Sequence, residues 1–110
     1  MKVLFLCTAN KNRSKTAEIL FNDISEHDVK SAGLSAKYCE KEGGTLCTED
    51  MLQEADLIYV FEQKHVERIK EYTGDAFLSK ITNLGIDDVY QVMDDSLIRL
   101  LKQKCSHLIG

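Results

Sequence analysis

Lys2-Val3-Leu4-Phe5-Leu6-Cys7-Thr8-Ala9-Asn10-Lys11-Asn12-Arg13-Ser14 is the stretch that decides the architecture. Lys2–Cys7 is an apolar run of strand length without the alternation of a half-exposed strand, so it reads as a strand buried on both faces. From Ser14 the period changes. Ala17, Leu20, Phe21 and Ile24 recur at three- and four-residue spacing, as on a helix with one apolar stripe. A buried strand, a polar loop and a helix make the opening half of a βαβ unit.

Working outward, the alternation continues. Residues 28–32 (DVKSA) read as a second strand ended by Gly33, and residues 34–46 as a polar loop containing Gly43-Gly44. Thr48 ahead of Met51 and Leu52 predicts a short helix with Thr48 as its N-cap. Residues 56–61 (DLIYVF) give the clearest later strand, residues 62–72 a helix with Val66 and Ile69 inward, and residues 81–86 a weaker strand. Residues 95–108 close the chain as a helix facing inward with Leu97, Leu101, Cys105 and Leu108. Strands alternating with helices imply an α/β fold, a parallel sheet with helices on both faces joined by right-handed crossovers. Ligands in such folds sit at the carboxyl ends of the strands, which points to the loop after Cys7.

The 110 residues suffice for one domain, 1–110, and are too few for two. A net charge of −4 leaves no sequence-wide basic field for nucleic acid or an anionic membrane. The apolar run Val3–Cys7 is shorter than the roughly 7–15 residues of a signal h-region and flows into a polar loop, so a cytoplasmic protein is expected. Cys7, Cys39, Cys47 and Cys105 form no Cys-x-x-Cys pair, and His27, His65 and His107 are equally scattered. The expectation is reduced thiols, no metal site, and histidines without a site role.

Cys7 to Ser14 has the form Cys-x5-Arg-Ser between strand and helix. A loop of this length can curl so that successive backbone N–H groups point inward and make an anion-binding nest. The following helix adds free N–H groups and the positive end of its dipole. Arg13 offers a planar fork that grips two phosphate oxygens at once. The same field favours the thiolate of Cys7, the form that attacks phosphorus, and Ser14 is positioned to donate to the sulfur. Asn10 tolerates a left-handed backbone. Thr8, Ala9, Asn10, Lys11, Asn12, Arg13 and Ser14 are thus the candidate phosphate-binding residues. The plain alternative is a buried cysteine ending a strand and a solvated arginine in the first helical turn.

Cys7, Asn10, Arg13, Ser14, Ala17 and Glu18 fall in the pattern Cys-x-x-Asn-x-x-Arg-Ser followed by Ala-Glu, and here the chain resembles the low-molecular-weight protein tyrosine phosphatases. The similarity extends to Ser31-Ala32-Gly33 and to Ala55-Asp56-Leu57-Ile58. The resemblance implies a four-stranded parallel sheet in order 2-1-3-4. It also implies a phosphocysteine intermediate on Cys7 without metal or other cofactor, and a monomer that acts on phosphorylated protein or small phosphomonoesters, phosphotyrosine foremost.

A phosphocysteine route needs an acid to protonate the leaving oxygen and then a base to activate water. The family supplies an aspartate, usually within Asp-Pro, and this chain has no proline. Asp88, followed by Val89, falls where that acid is expected. Asp87 and Asp94 are the alternatives, and Asp94 and Asp95 also suit a helix N-terminus. The chain is shorter than typical members after the second strand, where the pocket wall is built. Tyr38 and Tyr90 are the aromatic candidates for that wall. Asn12 stands where many members carry a second loop cysteine, and Lys15 where proline is common. Two other functions fit the loop: thiol-dependent arsenate reduction, with Cys39 and Cys47 as the further thiols, and non-catalytic phosphate binding.

Overall fold

The computed structural model describes residues 1–109. Four parallel strands form one sheet in the order β2-β1-β3-β4, as anticipated. They are β1 (Lys2–Cys7), β2 (Asp28–Gly33), β3 (Leu57–Val60) and β4 (Ile81–Asn83). The helices are α1 (Arg13–Ile24), α2 (Ala36–Glu42), α3 (Glu49–Glu54), α4 (Gln63–Thr73) and α5 (Asp95–Lys104), with short 3-10 turns at Leu78–Lys80 and Ser106–Leu108.

β1 lies between β2 and β3 and is covered on both faces, which is why it carries no polar alternation. Val3, Phe5 and Cys7 join Ala17, Phe21, Leu97 and Leu101 of α1 and α5 in one core. Leu4 and Leu6 join Ile58, Val60, Leu52 and Ile69 in the other, under α3 and α4. In the first core the Phe5 ring stacks on Phe21 at 5.6 Å and on Tyr59 at 5.2 Å. Cys105 is fully buried there, as its place on the apolar face of the last helix implied.

The register sets Cys7 beside Gly33 at the carboxyl edge of the sheet. Residues 34–46, expected to be a loop, contain α2, whose N-cap Ser35 accepts from the Tyr38 N–H at 3.3 Å. Seven residues of which only Cys39 is buried offer no apolar period to read. The chain then returns beside β2, where Gly33 N–H donates to Thr45 C=O at 2.8 Å and Cys47 N–H to Gly33 C=O at 2.8 Å. β4 stops at Asn83, short of the expected residue 86. Leu84 and Ile86 nevertheless still donate to the carbonyls of Val60 and Phe61, at 2.8 and 2.9 Å. Those two bonds hold the following segment, with Asp87 and Asp88, at the edge where β1 ends.

Candidate active site

One side chain of the loop after Cys7 ties it to the chain behind it. Asn10 has φ 54, the left-handed conformation that asparagine tolerates better than most residues. Its Oδ1 accepts from the Thr45 N–H at 3.0 Å. Its Nδ2 donates to Ser14 Oγ and Ser31 Oγ, both at 2.9 Å. The Ser31 hydroxyl donates in turn to the Glu18 carboxylate, which gives the Ala17-Glu18 pair a physical use. Two glycines let neighbouring chain approach the loop. A Cβ on Gly33 would lie 2.7 Å from the Thr8 carbonyl oxygen, and one on Gly44 only 2.2 Å from that of Ala9.

Cys7 Sγ lies 3.0 Å from Ser14 Oγ inside this frame. Because Ser14 Oγ receives a hydrogen from Asn10, its own proton is free to go to the sulfur. The first intrahelical bond of α1 runs from Thr16 N–H to Asn12 C=O at 2.9 Å, so the earlier N–H groups of that helix are open to an anion.

Arg13 is 1% exposed and held by acceptors on two other segments. Its Nη1 donates to Glu62 Oε2 at 2.7 Å and to the Ile86 carbonyl at 2.8 Å, and its guanidinium lies 5.6 Å from the Phe61 ring centre. The Nε–Nη2 edge has no protein hydrogen bond among the described residues, with Asp88 Oδ1 the nearest carboxylate at 3.7 Å from Nε. Burial works to raise the Glu62 carboxyl, but the hydrogen bond and charge of Arg13, aided by Lys64 and His65, hold it below its ordinary value. Glu62 therefore stays ionised and keeps the guanidinium fixed.

Cys7, Thr8, Ala9, Lys11, Asn12 and Arg13 line one cavity of about 440 Å³, with Tyr38, Glu42, Lys64 and Asp88 also on its walls. Asn10 and Ser14, expected among the binding residues, are buried behind the loop rather than lining the cavity. Lys11 is engaged with Glu42 at 2.9 Å and Lys15 with Glu18 at 3.6 Å. Asp94 caps α5, accepting from the Ser96 N–H at 2.8 Å. Of the two tyrosines, Tyr38 lines the cavity, while Tyr90 packs against the α1–α5 core. Tyr90 is thus a packing residue. Its sequence position beside the aspartates concealed that the chain turns back to the core there.

Two residues escaped the sequence reading. Nothing in the sequence singles out Glu62, and His65 reads as one of three scattered histidines, yet His65 is 2% exposed and bonds to Thr8 of the loop. An ionisable residue at an otherwise inward position of the α4 stripe was the available signal.

Two of the remaining thiols are raised above their ordinary value. Burial, followed by the charge of Cys7, raises the Cys39 thiol, and burial pushes Cys47 up to about 12. Thiols so raised are weak nucleophiles at neutral pH.

A strand-loop-helix cradle with a thiol at its base and a buried arginine beside it stands at the edge of a parallel sheet, an arrangement that can hold an oxyanion. The family described as "Low molecular weight phosphotyrosine protein phosphatase" matches residues 2–46. A protein-arginine-phosphatase of Bacillus subtilis (strain 168) is 26% identical across 98% of this chain and 97% of its own length. That alignment runs over 146 positions, more than the 110 residues here, so the relative has segments without counterpart in this chain. The tyrosine phosphatase Wzb from Escherichia coli K30 is 26% identical with a TM-score of 0.71, covering 96% of this chain and 94% of that one. A low-molecular-weight protein tyrosine phosphatase from Streptococcus pyogenes shares the fold at TM-score 0.77 and 20% identity, over 96% of this chain and 89% of that one. Residues 2–46 thus match that phosphatase family, and the whole chain shares the fold of its solved members. The relatives are phosphatases by name, and the residue at the loop base of this chain is Cys7.

Proposed function

We propose that the protein hydrolyses phosphomonoesters without metal, through a phosphocysteine on Cys7, with Arg13 holding the phosphoryl group and Asp88 as acid and base. The observation that carries this reading is the shared cavity of Cys7, Arg13 and Asp88. In the first step Sγ attacks phosphorus while the bond to the leaving oxygen breaks, and the Asp88 carboxyl delivers a proton to that oxygen. In the second step a water attacks phosphorus, gives its proton to the Asp88 carboxylate, and the P–S bond returns its electron pair to sulfur. The loop N–H groups and Arg13 stabilise the charge on the equatorial oxygens in both steps. Asp87 and Asp94 are weaker candidates because neither lines the cavity, and Asp94 is occupied as a cap.

For substrate we favour phosphotyrosine, with Tyr38 as the aromatic wall. A second reading has its own observation. Two carboxylates, Glu42 and Asp88, line the cavity, an arrangement suited to a cationic leaving group such as the guanidinium of phosphoarginine. The Bacillus subtilis relative is a protein-arginine-phosphatase. Arsenate reduction lacks a comparable observation, since the thiols it would use are raised rather than lowered.

The test is hydrolysis of p-nitrophenyl phosphate with EDTA, followed by matched phosphotyrosine and phosphoarginine peptides. Turnover abolished by Cys7→Ser supports the mechanism, and the ratio of kcat/KM between the two peptides assigns the substrate. A folded wild type without turnover would move the assignment to a non-catalytic phosphate-binding module.

A further inference from the structure

His65 stands in the first turn of α4 with its ring between two sets of partners. The backbone N–H groups of Phe61 and Glu62 both donate to Nδ1, at 3.3 and 3.1 Å. A ring nitrogen that accepts hydrogens carries none, so the single proton of the neutral ring is on Nε2. Nε2 lies 3.1 Å from Thr8 Oγ1. The direction of this bond is therefore fixed: imidazole donates and the Thr8 hydroxyl accepts.

The consequence falls on the hydroxyl hydrogen of Thr8. With an Oγ1 lone pair taken by His65, the Thr8 O–H must donate elsewhere, and among the described residues no protein atom accepts it. Thr8 directly follows the nucleophile and lines the same cavity as Cys7 and Arg13. We propose that His65 is a positioning residue, which acts through Thr8 by turning its hydroxyl into a fixed donor to the oxyanion in the loop. The donor belongs to a side chain, so it adds to the backbone nest and the Arg13 fork. The ring is 2% exposed, and the two backbone N–H groups on Nδ1 hold its orientation.

This inference rests on the phosphatase reading of the site, and its test separates the two. Orthovanadate affinity, measured by calorimetry, reads the oxyanion site without turnover. p-Nitrophenyl phosphate kinetics and Cys7→Ser read the reaction. Thr8→Val, which keeps the shape and loses the donor, is expected to weaken orthovanadate binding and lower kcat/KM about tenfold or more, the worth of a hydrogen bond to a charged group. Thr8→Ser regains most of that loss. His65→Gln shows a similar loss in the wild type and little further loss in the Thr8→Val background, since both remove one interaction. Imidazole ¹⁵N spectra should show His65 as the Nε2–H tautomer throughout pH 5–8.

Wild-type turnover with orthovanadate affinity unaltered by Thr8→Val overturns the inference and leaves the phosphatase reading standing. So does a His65→Gln loss that persists in full in Thr8→Val, the mark of a purely structural role. An Nδ1–H tautomer also overturns it. A wild type that neither turns over nor binds orthovanadate overturns both.

Discussion

Ser14 Oγ stands 3.0 Å from Cys7 Sγ and at the same time accepts a hydrogen from Asn10 Nδ2 at 2.9 Å. The serine proton is thereby directed to the sulfur, with the Ala32 carbonyl at 3.4 Å as its alternative. Ser14→Ala removes the donor to the sulfur and leaves one Asn10 N–H without its acceptor. The expected outcome is a kcat lowered about ten- to a hundredfold, from the worth of a hydrogen bond to a charged group, with slower iodoacetamide alkylation of Cys7 at pH 7. Stopped alkylation series on both proteins check it.

Glu62 fixes Arg13 at 2.7 Å from a position that is 28% exposed. Glu62→Gln keeps the shape but strips the charge, leaving a buried guanidinium with a neutral partner. Stability should fall by about 1–2 kcal/mol, less than for fully buried pairs because water reaches Glu62. KM for p-nitrophenyl phosphate should rise several-fold. Urea unfolding and steady-state kinetics on the same preparation separate the two effects.

Asp88 is 60% exposed beside the Arg13 guanidinium, free to approach a leaving group in the cavity. Asp88→Asn should slow hydrolysis of phenyl phosphate far more than that of p-nitrophenyl phosphate, whose leaving group needs little protonation. Equal ratios in mutant and wild type would transfer the role to Asp87 or Asp94.

His65 is held neutral with its pKa lowered to about 4, by burial first and then by the charge of Arg13, with Glu62 and Asp88 opposing and Lys64 assisting. The unfolded chain takes up a proton at this residue near pH 6.5 while the folded chain does not. The unfolded state then binds more protons, so stability falls as pH drops from about 6.5 towards 4. His65→Gln should flatten that part of the curve, read from urea midpoints at half-unit pH steps.

Gly44 admits no Cβ, because the Ala9 carbonyl oxygen lies 2.2 Å from where it would stand. Gly44→Ala should displace the loop backbone and abolish turnover. The two cores lie apart from Gly44, so circular dichroism should show the sheet and helices retained.

The order of strands and helices was legible because burial on both faces leaves an unbroken apolar run in β1, and one-sided burial leaves a 3.6-residue period in α1 and α5. α2 was not, since seven residues that bury only Cys39 carry no period. The sequence alone also marked the loop. Cys7, Asn10, Arg13 and Ser14 are close in the chain, so their spacing in residues nearly fixes their spacing in space. Other groups that come to the loop from elsewhere needed the tertiary structure: Glu62 on Arg13, His65 on Thr8, Glu42 from α2, and the choice of Tyr38 over Tyr90 for the cavity wall. These partners are up to 57 residues from the groups they touch. Only the parallel order β2-β1-β3-β4, which gathers the strand ends at one edge, brings them within hydrogen-bonding range.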